Sequence, residues 1–120
     1  MKNTGITISK IIIFIITIFV FTKCGLEEVK HEAPEKNEVK KGAGFTINLP
    51  EDHTTGYTWQ LSQDFDQKLV ENTNAVWHGN KKGIYFNFSA LQTGETILTF
   101  VNRKYTDTSN VKSFIIKILE

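Results

Sequence analysis

The sequence predicts an all-β fold, an antiparallel β-sandwich of about seven strands, on three observations. After residue 42 apolar residues recur with a period of two, as in strands that bury one face. Short polar and glycine-containing stretches separate these runs. No helical run interrupts them. With 120 residues, 40% hydrophobic and 12% aromatic, the chain has room for one small globular domain, near the lower size limit for a core that stands alone. A large enzyme is excluded.

The N-terminus carries the first element. Lys2 and Lys10 precede an apolar run from Ile11 to Phe21 broken only by Thr17, the pattern of an export signal. The run is shorter than the roughly 20 residues a membrane-spanning helix needs, so residues 1–23 read as a cleaved signal peptide. Cys24 follows at once. Phe21-Thr22-Lys23-Cys24-Gly25 resembles a bacterial lipoprotein signal, in which the cysteine is acylated and becomes the new N-terminus. Lys23 departs from the small residue such signals prefer, and ordinary secretory cleavage nearby is the alternative. Either way the chain is exported, to the cell envelope on a lipid anchor or as a soluble secreted or periplasmic protein.

Cys24 is the single cysteine, so no internal disulfide forms and stability must come from packing. A lone cysteine beside the signal is also badly placed to be an oriented nucleophile. Residues 24–41, with charges of both signs, Pro34 and few apolar residues (Leu26, Val29, Ala33, Val39), read as a solvated linker rather than an amphipathic helix.

The sandwich domain is expected over residues 42–120. Phe45, Ile47 and Leu49 make the first strand, which Pro50 ends. Tyr57, Trp59 and Leu61 make the second, alternating with Thr58, Gln60 and Ser62. Lys68 to His78 adds one or two more, with Leu69, Val70, Val76 and Trp77 as core candidates. Ile84, Phe86, Phe88 and Ala90 follow, then Leu98 and Phe100, then Phe114, Ile116 and Ile118. Gln92-Thr93-Gly94 reads as a tight hairpin and Thr106 to Asn110 as a longer polar loop. Strands and turns in this number describe an immunoglobulin-like sandwich.

Charge excludes one partner class. Taking Lys2, Lys10 and Lys23 from the 14 basic residues leaves 11 against 13 acidic ones, a net of −2, so nucleic acid is not expected. His31, His53 and His78 have no ligand spacing among themselves or with Cys24, so neither a metal site nor a cofactor is expected. Glu51-Asp52 and the Asp64, Asp66 pair read as solvated loop carboxylates. Gly42-Ala43-Gly44 leads into a strand rather than a helix N-terminus, so it is no phosphate cradle. Lys81-Lys82 and Arg103-Lys104 read as solvated loop tips unless both pairs share one end of the domain.

Such clustering is expected, because up-and-down strands bring the loops at Glu51–Gly56, Gly79–Lys82 and Arg103–Asn110 to one end. Leu49-Pro50-Glu51-Asp52-His53-Thr54-Thr55-Gly56-Tyr57-Thr58-Trp59 resembles the first binding loop of the chagasin family of cysteine-peptidase inhibitors, N-P-T-T-G-[YF]-x-W. Thr54, Thr55, Gly56, Tyr57 and Trp59 match it, while Asp52-His53 replaces Asn-Pro. Phe86 to Leu91, Thr93-Gly94 and Leu98-Thr99-Phe100 look like the family's later hairpin. Where the family has G-x-G-G this chain has Gly79-Asn80-Lys81-Lys82, and where it has R-P-W it has Arg103-Lys104-Tyr105, with Tyr105 in the place of the tryptophan.

The resemblance covers essentially residues 42 to 120 and implies a monomeric, reversible, noncovalent inhibitor of papain-like cysteine peptidases. Its peptidase-binding residues would be Asp52, His53, Thr54, Thr55, Gly56, Tyr57, Gly79, Asn80, Lys81, Lys82, Arg103, Lys104 and Tyr105. Thr54-Thr55-Gly56 would be the tip that enters the cleft, with small threonines close to the catalytic pair. Trp59, and with it Tyr57, would brace the tip from the core. Two other readings stand beside it: a surface-tethered module that kept the fold but binds another ligand, and a structural envelope lipoprotein.

Overall fold

In the computed structural model, which describes residues 26–120, apolar alternation becomes eight strands. They are β1 (Glu27–Glu28), β2 (Lys36–Lys40), β3 (Gly44–Leu49), β4 (Thr58–Leu61), β5 (Val70–Trp77), β6 (Ile84–Ala90), β7 (Gly94–Lys104) and β8 (Asp107–Leu119). The first sheet has the order β1-β3-β6-β5 and the second β2-β8-β7-β4. Both are mixed, because β1 runs parallel to β3 and β2 parallel to β8, while the other pairs are antiparallel. The all-β sandwich is therefore as expected, with parallel edge pairs that a purely antiparallel reading lacks. The signal segment and Cys24 lie outside the described residues.

The core lies between the sheets, where the inward residues of both meet. Phe45, Phe86 and Phe88 come from the first sheet, and Leu98, Phe100, Phe114 and Ile116 from the second, all buried. Ring contacts cross the gap: Phe86 to Phe100 at 4.8 Å and Phe88 to Phe100 at 6.4 Å between centroids. Phe45 stacks on Phe88 at 5.1 Å and Phe100 meets Phe114 edge-on at 5.7 Å. With no disulfide possible, these interlocked rings supply the specific packing.

The structure corrects the expected linker. Lys36–Lys40 pairs with Ile115–Leu119 over five residues, and Val29 and Val39 are buried in the main core. Asn37, also buried, receives the His31 N–H at 3.2 Å and donates to the His31 and Ile115 carbonyls at 2.7 and 3.2 Å. Sparse apolar residues suffice here because an edge strand needs only backbone pairing and one or two inward side chains. The folded unit thus begins well before Gly42.

Three further expectations change. Gln92 to Gly94 is no hairpin: β6 belongs to the first sheet and β7 to the second, so the turn carries the chain across the sandwich. Thr106 to Asn110 is no loop, because β7 and β8 stay paired out to Lys104 and Asp107, leaving Tyr105-Thr106 as a two-residue turn. Tyr105 adopts φ 55° there, which a tight hairpin turn demands even of a non-glycine residue. The stretch from Lys68 to His78 forms one strand, β5, whose bulge between Asn72 and Asn74 breaks the alternation. Past the bulge Val76 pairs with Tyr85 on the outer face, and Trp77 pairs with Ile84 on the inner face but at its rim, so the two stay 38% and 40% exposed.

Candidate functional site

Register places three loops at one end. Leu49, the last residue of β3, pairs with Ile84, the first of β6, so the loop between β3 and β4 lies beside the β5–β6 turn. Thr58, the first residue of β4, pairs with Arg103 near the end of β7, which brings in the β7–β8 turn. Among the described residues the expected set Asp52, His53, Thr54, Thr55, Gly56, Tyr57, Gly79, Asn80, Lys81, Lys82, Arg103, Lys104 and Tyr105 is thus brought together at this end. Direct bonds tie the loops. The His53 N–H donates to Asn80 Oδ1 at 3.0 Å, and the Tyr57 hydroxyl donates to Asp107. The Lys104 ammonium lies 5.9 Å from the Tyr57 ring centre.

The first loop is folded on itself. Asp52 Oδ1 accepts the Thr54 N–H at 2.9 Å and its hydroxyl at 2.7 Å, an Asx-type turn. The Thr55 hydroxyl donates to the Asp52 carbonyl at 2.8 Å and accepts the Tyr57 N–H at 3.2 Å. The same carbonyl accepts the Thr55 N–H, and the His53 carbonyl accepts that of Gly56. Gly56 closes the turn at φ 83°, and a side chain there would press on Lys104. Both threonine hydroxyls are therefore already donated inside the loop, so the tip presents methyl groups and oxygen lone pairs. The threonines themselves are exposed.

Two titrations follow from these bonds. Hydrogen bonds from the Thr54 side chain and backbone hold the Asp52 carboxyl below its ordinary value. The turn's contribution to stability is therefore intact at neutral pH and is lost only as pH falls through that depressed value. Donation to Asp107 holds the Tyr57 phenol above its ordinary value. That bond persists at neutral pH and is lost as pH rises through the raised value.

Glu51, expected on the solvated surface, is the buried anchor of the loop, 5% exposed. Its Oε1 accepts the Trp59 N–H at 2.7 Å, and its Oε2 lies 2.7 Å from His53 Nε2. Its carbonyl accepts the Trp77 indole N–H at 3.0 Å, and that of Pro50 accepts the Trp59 indole N–H at 2.7 Å. The His53 ring stacks on Trp77 at 3.8 Å between centroids. His53 stands where the resemblance would have proline, and this clamp of Glu51, His53 and Trp77 fixes the loop by contacts instead of by a ring closed on the backbone. Glu51→Ala should leave a buried N–H unpaired and cost about 1–3 kcal/mol, read as a shift in the denaturant midpoint. An unchanged midpoint would remove Glu51 from the account.

The second loop is bracketed by Gly79 and Gly83, at φ 98° and 82°. At Gly83 a Cβ would sit 2.2 Å from the Leu49 carbonyl oxygen, so only glycine lets this turn approach β3. The His78 and Gly83 N–H groups close the turn on Gly83 O and Gly79 O, both at 2.8 Å. Lys81, Lys82, Arg103, Lys104 and Tyr105 are exposed, Tyr105 by 90%. None of the four cations makes an ion pair among the described residues.

Sequence reasoning passed over Glu51, Trp77, Gly83 and Asp107. Gly83, one residue past Lys82, was the readable signal. The others act through contacts between residues distant in sequence. Among the described residues no three His, Cys, Asp or Glu side chains gather to hold a metal. The cleft of about 510 Å³ lined by Val29, His31 and Lys36 among others is on the β1–β2 edge rather than among the loops.

Known proteins resemble this chain in sequence pattern and in fold. Residues 38–118 match the sequence model described as chagasin family peptidase inhibitor I42. No curated protein matches the sequence. The crystal structure of the cysteine protease inhibitor EhICP2 from Entamoeba histolytica is similar at a TM-score of 0.64 and 13% identity, over 80% of this chain and 95% of that one. The solution structure of amebosin gives 0.49 and 21%, over 78% and 97%. The first of these likenesses concerns the fold.

Proposed function

The chain belongs to the chagasin family of peptidase inhibitors, and from that premise we propose that it inhibits papain-like cysteine peptidases reversibly, wedging its three loops into the active-site cleft. It is an inhibitor and not an enzyme. The observation that carries the wedge is the tying of three sequence-distant loops into one rigid end, by His53 to Asn80 and Tyr57 to Asp107. A surface fixed before binding loses little further freedom on association.

The first loop would enter the cleft with Thr54, Thr55 and Gly56 foremost. A peptidase cleaves a chain it can hold extended, with the scissile carbonyl aligned to the nucleophile. Here the tip is folded into successive tight turns held by Asp52 and His53 carbonyls, so no extended segment is offered and the bond to the enzyme stays noncovalent. Lys81, Lys82 and Tyr105 on the flanking loops would meet the cleft rims, and the exposed indole of Trp77 adds an aromatic beside the first loop. Aromatic side chains of this kind are common binding anchors.

The same reading takes residues 1–23 as an export signal and Cys24 as an acylated N-terminus that anchors the chain to a membrane. Its support is the sequence pattern around Phe21 to Gly25.

The direct test is titration of the chain from Gly25 onward against papain, following residual activity. Stoichiometric loss of activity that returns on dilution is the expected result. Full activity at micromolar inhibitor, or inhibition that ends with the first loop cut, would overturn the wedge.

A further inference from the structure

We infer that the pole of the sandwich opposite the loops is a membrane-facing surface, so that a lipid bilayer lies against it and the loops point away from the membrane. The inference rests on the anchorage at Cys24 proposed above and adds what the fold does with it. Leu26 sits at the start of β3, since a Cβ on Gly44 would meet its side chain at 2.4 Å. β1 then pairs Glu27 with Phe45 and runs parallel to β3, toward the loop end. The chain therefore comes into the fold at the far pole.

The segment between anchor and domain is short. Residues read from sequence as a spacer are spent in β1 and β2, which are paired and partly buried. Only Gly25 separates Cys24 from Leu26, a reach of about 7 Å when extended. An anchored chain is therefore held with this pole against the lipid. On the other side, β7 runs the height of the sandwich from Gly94 to Lys104, 11 residues, or about 33 Å. The loops stand that far from the surface.

The pole itself suits a lipid interface. Leu26, Leu91 and Leu119 are exposed there by 51%, 41% and 36%. They ring the turn that follows β2, where the Lys41 N–H bonds the Leu119 carbonyl and the Gly42 N–H bonds that of Ala90. Lys40 and Lys41 add two positive charges beside them, with Glu120 and Glu27, which pairs with Phe45 at the same pole, opposing. Exposed leucines flanked by lysines are the combination that settles into the headgroup region, the leucines toward the acyl chains and the ammonium groups on phosphates.

The test uses the full chain, matured in a bacterial host and reconstituted into phosphatidylcholine–phosphatidylglycerol vesicles that carry a nitroxide-headgroup quencher. Acylated Cys24 has no free thiol, so Leu91→Cys and Lys81→Cys each offer one position for a fluorophore. The Leu91 label should be quenched several-fold more than the Lys81 label. Equal quenching, or stronger quenching at Lys81, in vesicle-bound acylated chain would overturn the membrane-facing pole alone. A mature chain whose mass shows no acyl group and which does not sediment with vesicles would overturn the anchorage, and the pole with it.

Discussion

Trp59→Ala is expected to destabilise the fold by about 3–5 kcal/mol, the range for truncating a buried aromatic. The ring is 5% exposed within the common core, and truncation leaves a void that packed phenylalanines fill only in part. Two contacts raise the cost. The indole N–H donates to the Pro50 carbonyl at 2.7 Å, and Lys112 lies 5.9 Å from the ring centre. A domain this small has a total stability of about 5–15 kcal/mol, so the variant should unfold at markedly lower denaturant concentration. Trp59→Phe separates the terms, keeping most of the apolar ring while losing the bond to Pro50, and should cost about 1 kcal/mol through that bond. Because Pro50 and Trp59 are the two ends of the first loop, the alanine variant should also inhibit more weakly than its folded fraction accounts for. A loss below 1 kcal/mol would place the ring at the surface.

Thr55→Arg should weaken peptidase inhibition by about 100-fold or more, equivalent to about 2.7 kcal/mol, with thermal stability nearly unchanged. Thr55 is exposed at the tip, where a long charged side chain fills the space a narrow cleft leaves for a methyl group. The substitution also removes the hydroxyl that bonds Asp52 O and the Tyr57 N–H, a surface loss of about 1 kcal/mol at most. Thr93→Arg, exposed in the turn between β6 and β7 at the far pole, is the control and should inhibit as the parent does. Equal inhibition by Thr55→Arg and its parent would remove this loop from the interface, whichever peptidase is used.

The fold was legible where burial is one-sided. β6 and the inner half of β8 alternate in burial, and β3 does so except at the buried Thr46, so the inward positions are mainly the core phenylalanines and isoleucines. β5 was only half legible, since it is an edge strand with a bulge and mostly exposed side chains. β1 and β2 were illegible, because their order comes from backbone bonds to β3 and β8 that leave little trace in composition.

The first loop was legible for a different reason. Thr54, Thr55, Gly56, Tyr57 and Trp59 are consecutive or nearly so, and each has a local cause: a turn, a positive φ, a buried ring. What supports them was not. Glu51 reads as a surface acid until Trp59 and His53 are seen on its two oxygens, and Trp77 reads as core until the β5 bulge turns it toward His53.

The sequence by itself therefore determined the all-β class and the core-forming faces, since both are written in short-range periodicity, while the leading loop was singled out by its resemblance to the chagasin family's first binding loop. The tertiary structure alone decided that the charged N-terminal stretch folds into the sheets, that Glu51 is buried, and which bonds tie the loops expected at one end, His53 to Asn80 and Tyr57 to Asp107. Those outcomes depend on which strands pair and in what register. Pairing is a long-range choice, fixed by how two faces fit and invisible in either strand read alone.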